Sequence, residues 1–244
     1  MIIALVSQKG GVGKSTLATS IAWELMSRKR RVLLVDGDSE QGSSKVTVAA
    51  ALERGLPTPA CVDMGPDMFG PEELPALIAH YDDIVIDTPG QLGETQRGAL
   101  MVADVALMPV GQTGYEAWSV MKTLNVLNAA QELRPELKVA MVVVRRDLRT
   151  DLGKTARDVL QDVGIPILKS ETSYRVAWME APTAGQGVAQ YAPKDAAAKE
   201  CIALVDELLL MATTRRAYDE AITAEVTLPE AFLEHEAEMA VAHE

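Results

Sequence analysis

The chain has 244 residues, 48% hydrophobic and 24% charged, long enough to bury a substantial core. No stretch approaches the ~20 uncharged apolar residues that cross a bilayer, the opening MIIALVSQKGG lacks the basic segment of a secretory leader, and Cys61 and Cys201 have no partner at metal spacing, which argues for a cytoplasmic, disulfide-free protein. The net charge of −12 is uneven: residues 217–244 hold eight carboxylates and no Lys or Arg, leaving −4 on the other 216 residues, so the total says little about local basic patches.

The first predicted strand, IIALVS (2–7), runs into SQKGGVGKST and a predicted helix over 15–29. A glycine-rich turn between strand and helix is the setting of a phosphate-binding loop. Gly10, Gly11 and Gly13 let backbone N–H groups turn inward, Val12 and Thr16 complete the cradle, and the helix dipole adds positive potential. Lys14 can reach β- and γ-phosphate oxygens, and the Ser15 hydroxyl can ligate Mg²⁺. The standard pattern has glycine six residues before the lysine; here that residue is Gln8, and a second lysine, Lys9, enters the loop.

The second strand, RVLLVD (31–36), ends in Asp36, with Asp38 just beyond. Carboxylates at the carboxyl edge of a parallel sheet can hold Mg²⁺ or orient an attacking water, although Asp36 alone could simply end the strand. After a helix over 72–80, the strand around DIVIDT (83–88) carries Asp87, placed to support a magnesium shell, and Gly90 follows in the next loop. A helix over 93–102, a strand at 104–110 and a helix over 115–132 come next. A strand at 139–144 then leads into RRDLRTDLGKTAR, a helix over 151–163 and a strand at 165–168. The last strong helix, within 193–216, can be capped by Asp195, with Ile202, Val205, Leu208 and Leu209 on one face. Apolar strands alternating with helices predict a single α/β domain over 1–212, a doubly wound parallel sheet, followed by an acidic helical or frayed tail over 213–244.

With Lys9 included, KGGVGKST is the deviant Walker A motif, and the chain resembles the ParA/MinD group of P-loop ATPases along most of residues 1–210. The resemblance implies ATP and Mg²⁺ as ligands, slow intrinsic hydrolysis, and a homodimer in which Lys9 reaches the partner's nucleotide. It assigns Lys9, Lys14 and Asp38 to catalysis, with Asp38 positioning water and Ser15, Asp87 and Asp38 around the metal. The family reads D-x-D-P-Q where this chain has Asp36-Gly37-Asp38-Ser39-Glu40, a departure that bears on the switch loop but keeps Asp38.

Within the group, the acidic end of the chain disfavours a MinD-like membrane helix, and the two cysteines lack the setting of an iron–sulfur dimer. A metabolic ATPase that activates a small molecule is the remaining alternative. The small, ParF-like partition branch fits best, since no helix-turn-helix precedes the loop. That branch implies non-specific DNA binding on the nucleoid and a small basic adaptor (ParB- or ParG-like) that stimulates hydrolysis. Its cargo is a plasmid, a chromosome region or a protein assembly. Arg149, Lys169, Arg175, Lys194 and Lys199 are the DNA-contact candidates. Arg145 and Arg146 fall where the family's base-contacting loop begins, which makes them candidates for adenine.

Overall fold

The computed structural model describes residues 1–38, 41–91, 93–112, 116–161 and 163–212; the acidic tail and the Ser39–Glu40 departure lie outside the described residues. Strands β1 (Ile2–Leu5), β2 (Val32–Asp36), β3 (Ala60–Asp63), β4 (Asp83–Asp87), β5 (Val105–Val110), β6 (Lys138–Arg146) and β7 (Ile167–Ser173) form one sheet. Its order is β3-β2-β4-β1-β5-β6-β7, and every pairing is parallel. The helices between them are α1 (Lys14–Ser27), α2 (Ser43–Glu53), α3 (Leu74–Leu77), α4 (Glu94–Val102), α5 (Glu116–Leu133) and α6 (Asp151–Gln161), and α7 (Val176–Thr183), α8 (Val188–Tyr191) and α9 (Ala196–Met211) follow β7.

Side chains alternate across each strand, so the sheet feeds two cores. On one face Ile3, Leu5 and Leu34 pack with Leu17 and Trp23 of α1, Trp178 of α7 and Leu204 of α9. On the other, Ile2, Ala4 and Ile86 pack with Leu100 of α4, Leu124 of α5 and Leu160 of α6. Each such side chain contributes about 1.5–3 kcal/mol when fully buried, which is why the strand interiors are almost wholly apolar. The carboxylates of β2 and β4 accordingly fall at strand ends. Asp83, at the start of β4, pairs with Arg30 and with the N-terminal ammonium. Asp36 and Asp87 end β2 and β4 at the opposite, carboxyl edge.

Several elements differ from the sequence expectations. β3 and α2 were not anticipated. β3 is a four-residue edge strand whose side chains are half-buried or exposed, so it has no apolar run. α2 starts after a left-handed Gly42 with no side-chain cap and buries only Ser44, Thr47, Val48 and Ala51. β7 begins later than expected and extends to Ser173, and the helix expected over 72–80 is the short α3 followed by a 3₁₀ turn. In α9 Asp195 does cap the helix, its carboxylate accepting from Ala197 N at 2.8 Å. The buried stripe is Cys201, Leu204, Val205 and Leu208, with Ile202 exposed, because α9 is rotated to face α1 and β7. Among the described residues no helix is long and apolar enough to cross a membrane.

Candidate nucleotide site

The carboxyl ends of β1, β2 and β4 meet at one edge of the sheet, and register fixes what meets there. Leu5 of β1 is paired with Asp87 of β4, Asp87 with Asp36 of β2, and Asp36 with Asp63 of β3. The loop after β1 turns over this edge into α1, with Gly11 and Gly13 at φ of 71° and 107°, conformations that an L-residue rarely adopts. The loop is tied down on both flanks. Gln8 N donates to Thr123 Oγ1 of α5 at 3.1 Å, and Gln96 Nε2 of α4 donates to Ser7 O at 3.1 Å and to Pro89 O at 2.7 Å. Thr88 Oγ1 closes the edge by donating to Leu5 O at 2.5 Å.

Beneath the loop is an open cavity of about 260 Å³, lined among others by Gly10, Gly13, Lys14, Ser15, Asp38 and Thr88. That is smaller than the ~300–1,000 Å³ of pockets that enclose a drug-sized ligand, so it suits a phosphate chain with its ion and leaves a base outside. Lys14 is 6% exposed, and its Nζ donates to Ser7 O and Lys9 O, each at 3.4 Å. Burial lowers its pKa, and the fields of Asp87 and Asp38 oppose that effect. Gly90 comes so close to the loop that a Cβ there would lie 2.9 Å from Gly10 Cα and 3.8 Å from Lys14 Nζ. Any loop bearing a side chain at that position would be pushed off the phosphate loop.

The carboxylates divide into two roles. Asp36 is buried and accepts from Asp38 N at 3.1 Å and Lys45 N at 2.9 Å, so it shapes the segment that carries Asp38. Burial raises its pKa, and those two backbone bonds counter the rise. Asp38 points into the cavity, and its Oδ1 also accepts from Gln41 N at 3.1 Å. Asp87 is 0% exposed, and burial pushes its carboxyl up to about 7 against the pull of Ser15 and Ser44. Ser44 Oγ donates to its Oδ2 at 2.8 Å, whereas Oδ1 has no hydrogen-bond partner among the described residues. A buried carboxylate oxygen without a donor among the described residues, on a carboxyl that Ser15 also acts on, fits a hard divalent cation with oxygen ligands, as Mg²⁺ requires. Ser15 and Asp38 would contact the ion, with Asp87 supporting its shell.

Lys9 lies on the other flank of the loop, in a shallow recess with Val12, Met108, Pro109 and Val110. Its N–H donates to Ser7 Oγ at 3.2 Å. Arg145 and Arg146 part company. Arg145 lines the phosphate cavity and donates from Nη1 to Gly11 O at 2.7 Å. Arg146 turns the other way and is committed to Glu171, with Nη1 2.5 and 2.6 Å from its two oxygens, and to Gly153 O at 2.6 Å. The cations singled out for DNA are spread more widely. Arg149 pairs with Asp147, Arg175 with Glu200 and Asp195, and Lys169 sits beside Glu207, while Lys194 and Lys199 are exposed. Ser44, Gln96, Thr88 and Asp63 were missed in the sequence. Only Ser44 left a signal, as one of two serines after a glycine at a helix start.

The profile of the CobQ/CobB/MinD/ParA nucleotide-binding domain family matches residues 3–188. The chromosome-partitioning ATPase Soj of Thermus thermophilus is 30% identical over 236 residues, covering 85% of this chain and 94% of that protein. The maintenance of carboxysome distribution protein A of Halothiobacillus neapolitanus is 27% identical, covering 85% and 95%. In fold, the septum site-determining protein MinD of Pyrococcus horikoshii, solved with Mg-ADP, superposes with a TM-score of 0.68 at 20% identity, covering 92% of this chain and 99% of that one.

Proposed function

Because this chain belongs to the CobQ/CobB/MinD/ParA nucleotide-binding family and is an ATPase of its ParA/MinD group using ATP and Mg²⁺, we propose that it is a partition or positioning switch. ATP closes a homodimer, the dimer holds non-specific DNA of the nucleoid, and a small basic adaptor on the cargo triggers hydrolysis and release. The cargo is a DNA locus or a large protein assembly, the two kinds named for its relatives. The protein works in the cytoplasm, on the nucleoid.

The observation that supports this reading is the divergence of the loop's two lysines. Lys14 is buried in the cavity of its own chain, while Lys9 lies on the opposite flank of the loop. In a dimer closed over nucleotide, a second lysine on that flank would offset charge on the partner's transferring phosphoryl group. Backbone N–H groups of 10–16 and Lys14 would hold the phosphates, and Ser15 and Asp38 would hold Mg²⁺, which when bound would supply positive charge to the phosphate oxygens. Asp38, free of the buried ladder that holds Asp36, accepts a hydrogen bond from the attacking water and aligns it.

The DNA surface would be weak by construction, since Arg149 and Arg175 already face carboxylates. Lys194, Lys199 and Lys169 would carry the phosphate contacts, doubled by the dimer, with affinity that falls steeply with salt. The test is binding of random-sequence duplex DNA at low salt with ATP–Mg²⁺, with ADP and without nucleotide, beside light scattering for mass. Lys14→Ala and Lys9→Ala run in parallel. ATP-dependent dimer and DNA binding, lost in both variants, is the expected result. An ATP-loaded monomer would overturn the switch, and an ATP dimer that binds no DNA would overturn the carrier role.

A further inference from the structure

Between the paired positions Val143–Glu171 and Arg146–Ser173, β6 advances three residues while β7 advances two. The extra residue makes a bulge, a device that re-aims side chains beside functional sites. Arg145 lies within it at φ 54°, a left-handed conformation that non-glycine residues rarely keep unless their surroundings hold them there. Its backbone N–H, displaced from the ladder, donates to Thr172 Oγ1 at 3.2 Å. The bulge delivers the guanidinium onto the phosphate loop, with Nη1 on Gly11 O at 2.7 Å. Nη2 and Nε flank Gly13, 3.8 and 3.9 Å from where a Cβ would stand.

Two recesses meet at this point. The polar cavity holds Lys14, Asp38 and Thr88, and a second, apolar crevice of about 30 Å³, room for little more than a water, is walled by Leu17, Val144, Trp178 and Met179. Gly13, Thr16 and Arg145 line both. A nucleotide is a polyanion at one end and a flat base at the other, joined at the sugar and the first phosphate, and only the polar cavity has room for the polyanion. A guanidinium carries donors only, in a fork that matches two anionic oxygens. One donor is spent on Gly11, and the others remain at the joint between the recesses.

Resting on the reading that this site binds an adenine nucleotide, we infer that Arg145 grips the phosphate nearest the sugar, not the base. It thereby couples the β6 bulge to the phosphate loop through the Gly11 carbonyl. Arg145 is then a phosphate-binding residue supplied in cis, which binds mono-, di- and triphosphates alike and takes no part in base choice.

The experiment is a ladder of ligands (adenosine, AMP, ADP, ATP and GTP) competed against a fluorescent ATP analogue. The proteins are the full chain and its Arg145→Gln, Arg145→Lys and Arg145→Gly variants. In the wild type, AMP should bind well ahead of adenosine. In Arg145→Gln that step should vanish, with AMP, ADP and ATP all weakened by roughly 10- to 100-fold, the range for a lost charge-assisted hydrogen bond. Adenosine affinity and the ATP/GTP ratio should not move. Arg145→Lys, a point charge without the fork, should fall between. Arg145→Gly suits the left-handed backbone, so it should fold at least as well as the glutamine variant and show the same loss, which separates binding from folding. An equal loss for adenosine and ATP, or a collapsed ATP/GTP ratio, would mean that Arg145 reads the base. Unchanged affinities would reduce it to a strut for Gly11. A wild-type chain that binds none of the five would sink the nucleotide reading itself, before any variant is compared.

Discussion

Asp87 offers a test of how much the metal site costs the fold. Its carboxyl is fully buried, and its pKa is pushed from 3.8 up to about 7, first by burial. At one pKa unit per 1.36 kcal/mol, that difference is worth about 4 kcal/mol between the two protonation states. The sign follows from linkage: a group whose folded pKa is raised stabilises the fold below its unfolded pKa, and that contribution is lost as pH rises through the folded one. Without metal, the wild type should therefore weaken from about pH 4 to about pH 7 and level off above.

Asp87→Asn removes this titration while keeping the shape. The amide oxygen can still accept from Ser44, but its NH₂ would sit where Oδ1 has no partner, at a cost of about 1–3 kcal/mol. Lys14 also loses a favourable field, although Asp38 still supplies one. The variant therefore need not be more stable at every pH, and the decisive quantity is the pH dependence of the difference. Urea denaturation of nucleotide-free, chelator-treated protein should show the variant gaining about 2–3 kcal/mol on the wild type between pH 5 and pH 8.5. Excess Mg–ATP at pH 8 should restore the order, since ligand at a hundred times its Kd adds about 2.7 kcal/mol to the form that binds it. A difference that stays flat across that pH range would refute the claim that Asp87 is held ionised at the expense of stability.

Three further outcomes follow from the geometry. Gly90→Ala should leave the fold intact but weaken ATP binding at least tenfold by calorimetry, because its Cβ would press on Gly10 at 2.9 Å. Gly185→Ala should be a stability mutant. At φ 73° its Cβ would lie 2.4 Å from Ala51 N of α2, and a cost of about 2–4 kcal/mol should lower Tm by roughly 5–15 °C in a thermal scan. Glu200→Gln should free Arg175 from one of its two carboxylates and, by filter binding, strengthen ATP-dependent DNA retention at low salt.

The elements legible in the sequence are those where local chemistry and burial agree. β1 is apolar on both faces because two cores meet it, and the glycines after it supply the left-handed conformations of a tight turn. Asp87 ends an apolar run, and such an interruption is affordable only where a ligand or partner compensates. β3 left no trace because an edge strand needs only one neighbour. Its Asp63 is recognisable solely through register, as the third carboxylate in a row with Asp36 and Asp87.

The arginines show where reading in one dimension stops. Arg145 and Arg146 are adjacent and chemically identical, yet one reaches the phosphate loop and the other an ion pair with Glu171. In a regular strand neighbours would face opposite sides of the sheet, one core each, and neither could reach the loop edge-on. A one-residue excess against β7, and the left-handed turn that absorbs it, send them to different places. Pairing with β7 produces that excess, and β7 is itself a strand whose polar second half, Ser-Glu-Thr-Ser, gave no strand signal. The side chain that lies between the two recesses beside this loop is thus set by a pairing between distant segments, and no local pattern around Arg145 encodes it.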